Sequence, residues 1–106
     1  MSDLILILTT MPDDDRANDV ARTLVSERLA ACVNVHGPMT STYRWKGAVE
    51  QEAERQLVIK TTPAQRAAVE ARLGALHPYE LPEFVVLTAN ASEAYAAWVG
   101  QAASEG

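Results

Sequence analysis

The chain alternates short apolar runs with stretches whose apolar residues recur every three or four positions. The first run, residues 4–8, is bounded by Thr-Thr-Met-Pro and has the length and composition of a buried central strand. Apolar residues at helical spacing follow this run. The acidic triplet at 13–15 precedes them and suits an N-cap at the positive end of a helix dipole. We therefore predict a helix over about residues 13–28, and we interpret the triplet as a cap rather than a metal site.

The middle of the chain is rich in β-branched and aromatic residues, which favour strands. Two long strands are predicted, over about residues 31–45 and 49–61, with Lys46-Gly47 as the hairpin turn between them. Gly37-Pro38 interrupts the first of these strands and predicts a bulge or kink there.

Two helices and one strand complete the pattern. Thr62-Pro63 supplies an N-cap and a first helical residue, and the helix over 64–75 ends at His77 because the residue before a proline avoids the α region. Residues 84–87 are predicted to form another buried strand. Ser92 then caps a last helix, whose predicted inner face comprises Tyr95, Trp98, Val99 and Ala102.

The resulting order is β-α-β, β-α-β and a C-terminal helix, with no linker or repeat in between. This order predicts an α+β, ferredoxin-like split βαβ fold in a single domain over residues 1–106. Its sheet has four antiparallel strands, with both main helices on one face and a long hairpin between the second and third strands.

The predicted hairpin is longer than the helices that cover the sheet. Strands of about 14 residues reach roughly 45 Å, whereas the main helices span roughly 20 to 24 Å. The distal half of the hairpin therefore overhangs the domain, and it carries Tyr43 and Trp45. The predicted sheet also has one face without a helix and one open edge strand. Association with identical copies would bury these two features together with the overhang, so we predict a homo-oligomer. The alternative is a solvated hairpin with its aromatic side chains folded back.

Composition indicates the cellular compartment of the protein and the classes of partner that it is unsuited to bind. The 106-residue chain has a formal net charge of -5 and scattered basic residues, which disfavours nucleic-acid binding. Its single cysteine, Cys32, suits a reducing compartment. The apolar run at 4–8 is too short for a membrane span or a signal peptide and lacks a basic segment before it. We predict a cytoplasmic protein without membrane or nucleic-acid partners.

Several ordered motifs resemble the CutA family of divalent-cation tolerance proteins. They are RLAACVN at 28–34, STYRWKG at 41–47, LVIKTT at 57–62 and HPYELPE at 77–83. The resemblance runs from about residue 4 to residue 98. It implies a ferredoxin-like fold, a tight homotrimer related to PII-type signalling proteins, and a role in copper binding and divalent-metal tolerance. No reaction is securely assigned to that family.

Copper prefers thiolate, thioether and imidazole ligands, so the candidates are Cys32, His36, His77, Met11 and Met39. Of these we predict His77 and Cys32 as the metal ligands. Cys32 is also explained as a small buried hydrophobe, and His77 as a charge that neutralises the end of a helix. The resemblance implies a site with a cysteine where this chain has Thr9 and two histidines where it has Leu76-His77. Only His77 is kept, so we expect that site to be weakened.

A second group of candidates suits a small molecule in a cleft between subunits. It comprises Trp45, Glu50, Lys60, Tyr79 and Glu80. A PII-like trimer that binds such a ligand, without a physiological metal, is the alternative function. An interface salt bridge between Lys60 and a glutamate explains the charges equally well.

Two other classes of function are disfavoured. Acylphosphatases share the predicted architecture but need a glycine-rich phosphate loop after the first strand, whereas residues 9–15 are acidic and contain no glycine. No Ser-His-Asp or Cys-His pairing stands out in the sequence. RNA-binding domains of this fold carry aromatic residues on their central strands, where this chain has aliphatic ones. We predict that the protein is not an enzyme.

Overall fold

The computed structural model describes residues 1–104, and it has the predicted order of elements. A 3₁₀ turn, Pro63–Gln65, precedes the second helix. The elements are β1 (Ser2–Pro12), α1 (Asp15–Ser26), β2 (Cys32–Trp45), β3 (Ala48–Thr61), α2 (Arg66–Leu76), β4 (Val85–Ala91) and α3 (Glu93–Ala102).

The four strands form one antiparallel sheet in the order β2-β3-β1-β4. β1 is therefore central, as its apolar run predicts, and β2 and β4 are the edges. The ferredoxin-like α+β prediction is confirmed.

Helices α1 and α2 cover one face of the sheet, which we call the core face. Alternate side chains of β1 and β3 point to this face because successive residues of a strand face opposite sides. The fully buried residues of this layer are Ile7, Met11, Leu24, Leu57, Ile59, Val69 and Leu73. Their burial is the main stabilising contribution of the fold.

The opposite face of the sheet, which we call the outer face, was expected to lack a helix, and this expectation is wrong. α3 packs on one end of it and buries Leu4 under Val99 and Ala103. The cover stops short of the start of β4, where Val85 and Leu87 remain 42% and 46% exposed. The prediction of a buried strand at 84–87 is therefore wrong: Phe84 and Val86 are partly buried against the core, and Val85 and Leu87 are exposed.

The orientation of α3 also differs from the prediction. Tyr95 and Trp98 were placed on its inner face, yet they are 37% and 46% exposed, with ring centroids 5.6 Å apart. The buried stripe consists of Val99 and Ala103 instead. The small residues approach the sheet closely, and the aromatic rings lie beside the contact.

The helix ends follow their predicted capping residues. Asp14, Thr62 and Ser92 each accept a hydrogen bond from a backbone N–H in the following turn. α1 is shorter than the predicted 13–28 at both ends. α2 ends at Leu76, and the extended backbone of its C-cap, His77 (ψ 133°), matches the position before Pro78.

The long hairpin is confirmed, with 14 residues in each of β2 and β3. β1 pairs with β3 only as far as Pro12 opposite Glu54. Residues 40–53 therefore form a two-stranded ribbon without a third strand, which we call the ribbon. The chain extends 45 Å along its longest axis. The predicted irregularity at Gly37-Pro38 is a register shift between His36 and Met39.

Candidate functional site

The segment that joins α2 to β4, residues 77–84, lies beside an unpaired stretch of β1. The pairing of β4 with β1 stops at Leu8 opposite Val85, so residues 9–12 of β1 have no strand on that side. We call residues 77–84 the strap. Its side chains take the place of a strand ladder along this edge.

His77 attaches the start of the strap to β1. Its Nε2 lies 2.8 Å from the carbonyl oxygen of Thr10 and 3.3 Å from the hydroxyl of Thr9. Its Nδ1 accepts a hydrogen bond from the backbone N–H of Tyr79 at 3.2 Å. Because Nδ1 is an acceptor, the proton of the neutral ring sits on Nε2, which donates to Thr10.

The surroundings of His77 favour this neutral form. Partial burial lowers the pKa of the imidazole below its ordinary value of 6.5, against smaller opposing effects of the Thr10 carbonyl and the Glu54 carboxylate. The ring of Tyr79 lies 4.9 Å away, centroid to centroid, and contributes to that burial.

Tyr79 attaches the strap to β3. Its hydroxyl donates a 2.6 Å hydrogen bond to the carboxylate of Glu54, a residue that is only 7% exposed. Burial, followed by this hydrogen bond to an anion, raises the pKa of the Tyr79 hydroxyl well above its usual range. A buried carboxylate is costly without such a donor, so this bond holds the middle of the strap in place.

The end of the strap is attached through Gln56. Its amide Nε2 donates to the Glu83 carboxylate at 2.9 Å and to the Thr9 carbonyl at 2.7 Å. Three side chains thus connect the strap to the sheet, and two of them bond to backbone carbonyls of β1.

Of the two predicted metal ligands, only His77 belongs to this network. Cys32 lies in the row of Lys60 and Leu6, four residues along the strands from the row that contains Thr10. That separation is roughly 13 Å along the strand and two strands, roughly 10 Å, across. Cys32 is partly exposed rather than buried. The structure does not bring His77 and Cys32 together in one subunit.

The residues around His77 do not fit a resident metal ion while the strap is in this position. Both ring nitrogens are engaged, Thr9 offers a hydroxyl, and Leu76 packs against the core. Within residues 1–104, no three His, Cys, Asp or Glu side chains are grouped closely enough to hold an ion. Metal ligation by His77 and Cys32 stays a prediction.

The predicted small-ligand residues share a face but not a location. Trp45, Glu50 and Lys60 all point to the outer face, yet ten residues of β3 separate Glu50 from Lys60, roughly 33 Å. The Lys60 ammonium lies 5.9 Å from the ring centroid of Tyr95, and Tyr79 bonds to Glu54 instead. Glu80 is exposed in the strap. One subunit does not assemble this site, so a cleft between subunits stays a prediction.

Sequence reasoning missed Glu54, Gln56 and Thr10. The signal available was the polar pair at alternate positions of the third strand, directly before the apolar run at 57–59. Alternate positions face the same side of a sheet, so this pair had to have partners there. The sequence pattern did not indicate that the strap supplies the partners of Glu54 and Gln56, because this depends on the path of the strap in the folded chain.

Comparisons with known proteins agree on one family. The model of the CutA1 divalent ion tolerance protein family matches residues 5–102. The divalent-cation tolerance protein CutA of Thermus thermophilus is 42% identical over 95 residues, which cover 89% of this chain and 92% of the relative.

Solved structures give the same result. The crystal structure of CutA from Xylella fastidiosa superposes with a TM-score of 0.92 at 42% identity, covering 97% of this chain and 100% of that one. A protein described as the periplasmic divalent cation tolerance protein CutA, from Archaeoglobus fulgidus, superposes with a TM-score of 0.90 at 26% identity, covering 95% and 99%.

Proposed function

The chain belongs to the CutA1 divalent ion tolerance family, and from this premise we propose that it acts in metal tolerance as a non-catalytic homotrimer, with copper as the first ion to test. The family match supports the tolerance role. One structural observation supports assembly: the outer face and the ribbon present apolar side chains that this chain leaves exposed.

The exposed apolar side chains lie on the two edge strands of the sheet. Leu87 and Val85 at one end, and Tyr43 at 40% exposure in the ribbon, lie on the outer face. Within residues 1–104, β2 and β4 each have one edge without a neighbouring strand. Exposed apolar surface and open strand edges are stabilised by association with further copies. The family resemblance supplies the number three.

The assembly is tested by analytical ultracentrifugation at sub-micromolar concentration. We expect a sedimenting mass near three times that of the subunit. A protein that remains monomeric, with Tyr43 accessible to solvent quenchers, contradicts the proposal.

Copper is proposed because the chain carries soft donors, although one subunit separates them. Binding then occurs at single donors or at donors brought together from neighbouring subunits. Calorimetric copper titration of the wild type, His77→Ala and Cys32→Ser distinguishes the donors. An affinity that neither substitution weakens excludes both as principal ligands.

The absence of catalysis and the compartment are parts of the same proposal. The segment at 9–15 presents acidic side chains rather than a phosphate cradle, and Asp13 and Asp14 are paired with Arg55 and Arg16. The single cysteine of the chain is compatible with a reducing cytoplasm. No helix within the described residues is long and apolar enough to cross a membrane. Turnover of an acyl phosphate by the purified protein contradicts the proposed absence of catalysis. Export of a tagged chain contradicts the proposed cytoplasmic location.

A PII-like trimer that binds a small ligand is the second candidate. Trp45 and Glu50 lie close together in the ribbon, on the same face as the distant Lys60, and this supports the candidate because only neighbouring copies can bring Lys60 to the other two. Thermal-shift screening of the wild type against Lys60→Met tests this candidate. A ligand that stabilises both proteins equally does not use this cleft.

A further inference from the structure

A cation with two aromatic neighbours lies on the outer face, beside α3. Within residues 1–104, Lys60 is the one lysine or arginine at a sheet position of this face. Its ammonium lies 5.9 Å from the ring centroid of Tyr95, which lies 5.6 Å from that of Trp98. We call these three residues the Lys60 cluster. Both rings are exposed, so the cluster is open to a partner from outside the subunit.

The charge of Lys60 has no opposite charge beside it in the subunit. Among the described residues, no carboxylate lies within ion-pairing distance of its ammonium. Leu6 and Cys32 occupy the positions next to it on the neighbouring strands. A contact with an aromatic ring stabilises an ammonium but leaves its N–H donors available. The cluster therefore suits a carboxylate that arrives together with apolar or aromatic side chains.

The ribbon of this chain presents such a combination on the same face. Glu50 and Glu52 stand at alternate positions of β3, with Tyr43 opposite Glu50 and Trp45 two residues further along β2. Neither carboxylate has an ion-pair partner in the part of the chain that the structure describes. Desolvation, followed by the charges of Glu52 and Glu50, raises the pKa of the Tyr43 hydroxyl. This face of the ribbon is therefore acidic and aromatic.

The two groups cannot meet within one subunit. The ten residues of β3 between Glu50 and Lys60 span roughly 33 Å. The ribbon strands, 40–45 and 48–53, extend roughly 20 Å beyond the end of β1 at Pro12. This projection carries the carboxylates away from their own subunit, to a position where a second copy can receive them.

We propose that the Lys60 cluster of one copy receives the ribbon of a second copy. Glu50 or Glu52 of the arriving ribbon pairs with the Lys60 ammonium, and the aromatic rings of the ribbon pack beside those of α3. This inference rests on the proposed assembly and goes further, because it states which two surfaces meet. The two surfaces differ, so each copy gives one contact and receives another, which is compatible with a closed ring.

The pairing is tested by carbodiimide cross-linking of the full chain, because this reagent joins an amine to a carboxylate that it contacts. Mass spectrometry of the digested product should show Lys60 joined to Glu50 or Glu52. Since these residues are far apart in one subunit, such a link joins two copies. Lys60→Arg keeps the positive charge but lacks the amine, so this control should assemble without forming the link.

Charge reversal measures how much the pairing contributes to assembly. Lys60→Glu should raise the dissociation constant on the order of tenfold, because it sets carboxylate against carboxylate. Adding Glu50→Lys and Glu52→Lys to the same chain should return the constant towards the wild-type value. Arg22→Glu makes the same change of charge at an exposed position of α1 and should leave the constant unchanged. Dilution series in the ultracentrifuge give the four constants.

Three results overturn the inference while the assembly itself remains. They are a cross-linked assembly without a link from Lys60 to either glutamate, a Lys60→Glu protein that assembles as well as Arg22→Glu, and a loss that the combined reversal does not restore. An intact Lys60→Glu assembly, together with benzoate quenching of Trp98 fluorescence in a Trp45→Phe protein, identifies a small anion as the occupant instead. A chain that stays monomeric contradicts the proposed assembly, and this inference with it.

Discussion

The two ends of the sheet are stabilised by different means. At one end, three helices enclose β1 and the end of β3 from both faces, and Ile7, Leu57 and Ile59 are fully buried. At the other end, the ribbon has two strands and no helix, and Val49 and Tyr43 are exposed. An isolated two-stranded hairpin is marginally stable in water. The comparison shows that one end of the sheet is stabilised by a shared core, whereas within the subunit the other end is stabilised only by the pairing of its two strands.

The largest expected effect is a core truncation at the enclosed end. Leu57→Ala should lower the free energy of unfolding by about 2 to 5 kcal/mol, because it leaves a cavity between the sheet and the helices. Urea unfolding followed by circular dichroism measures it. Val49→Ala in the ribbon is the control, with an expected change within about 0.5 kcal/mol. Equal losses at the two positions contradict the division of the sheet into two ends.

The next effect concerns the strap, which lies between the two ends. Tyr79→Phe leaves the nearly buried Glu54 carboxylate without its donor and should lower the free energy of unfolding by about 1 to 3 kcal/mol. Chemical denaturation of this variant beside Tyr43→Phe measures the difference. A variant as stable as the wild type means that Glu54 has another partner, such as water.

A smaller effect is expected from the ribbon, on association rather than on folding. Tyr43→Ala should weaken assembly by on the order of tenfold, because it removes apolar area from the surface proposed to meet other copies. Dilution series in the ultracentrifuge measure the dissociation constant. Val25→Ala removes a side chain of similar exposure from α1 and should leave it unchanged. If the two substitutions weaken assembly equally, the interface between subunits does not include the ribbon around Tyr43.

The smallest effect is the pH dependence contributed by His77. Because the pKa of the folded state lies below the ordinary 6.5, the unfolded chain binds the proton more readily. The stabilising contribution of neutral His77 is therefore complete above pH 6.5 and is lost as the pH falls through the folded pKa. The difference in unfolding free energy between the wild type and His77→Gln should therefore shrink as the pH is lowered from 7.5 to 5, values about one unit or more on either side of 6.5. A difference in unfolding free energy that stays constant over this pH range contradicts a lowered pKa of His77 in the folded state.

Local sequence pattern was sufficient to predict the elements and the long hairpin. Periodicity and capping residues act over a few positions, so the caps at Asp14, Thr62 and Ser92, the turn at Lys46-Gly47 and the irregularity at Gly37-Pro38 could all be predicted. Strand lengths followed from the same pattern, and with them the overhang of the ribbon. The ordered motifs also indicated the family, because they recur in one order and with similar spacing along almost the whole chain.

Contacts between distant parts of the chain, by contrast, depend on the tertiary structure. The packing of α3 on the outer face, with Val99 and Ala103 inward and Trp98 outward, depends on how closely that helix approaches the sheet. The bonds of His77 to Thr10, and of Tyr79 to Glu54, join positions 67 and 25 residues apart in the chain. Such partners are selected by the path of a loop through space, and local pattern carries no information about that path.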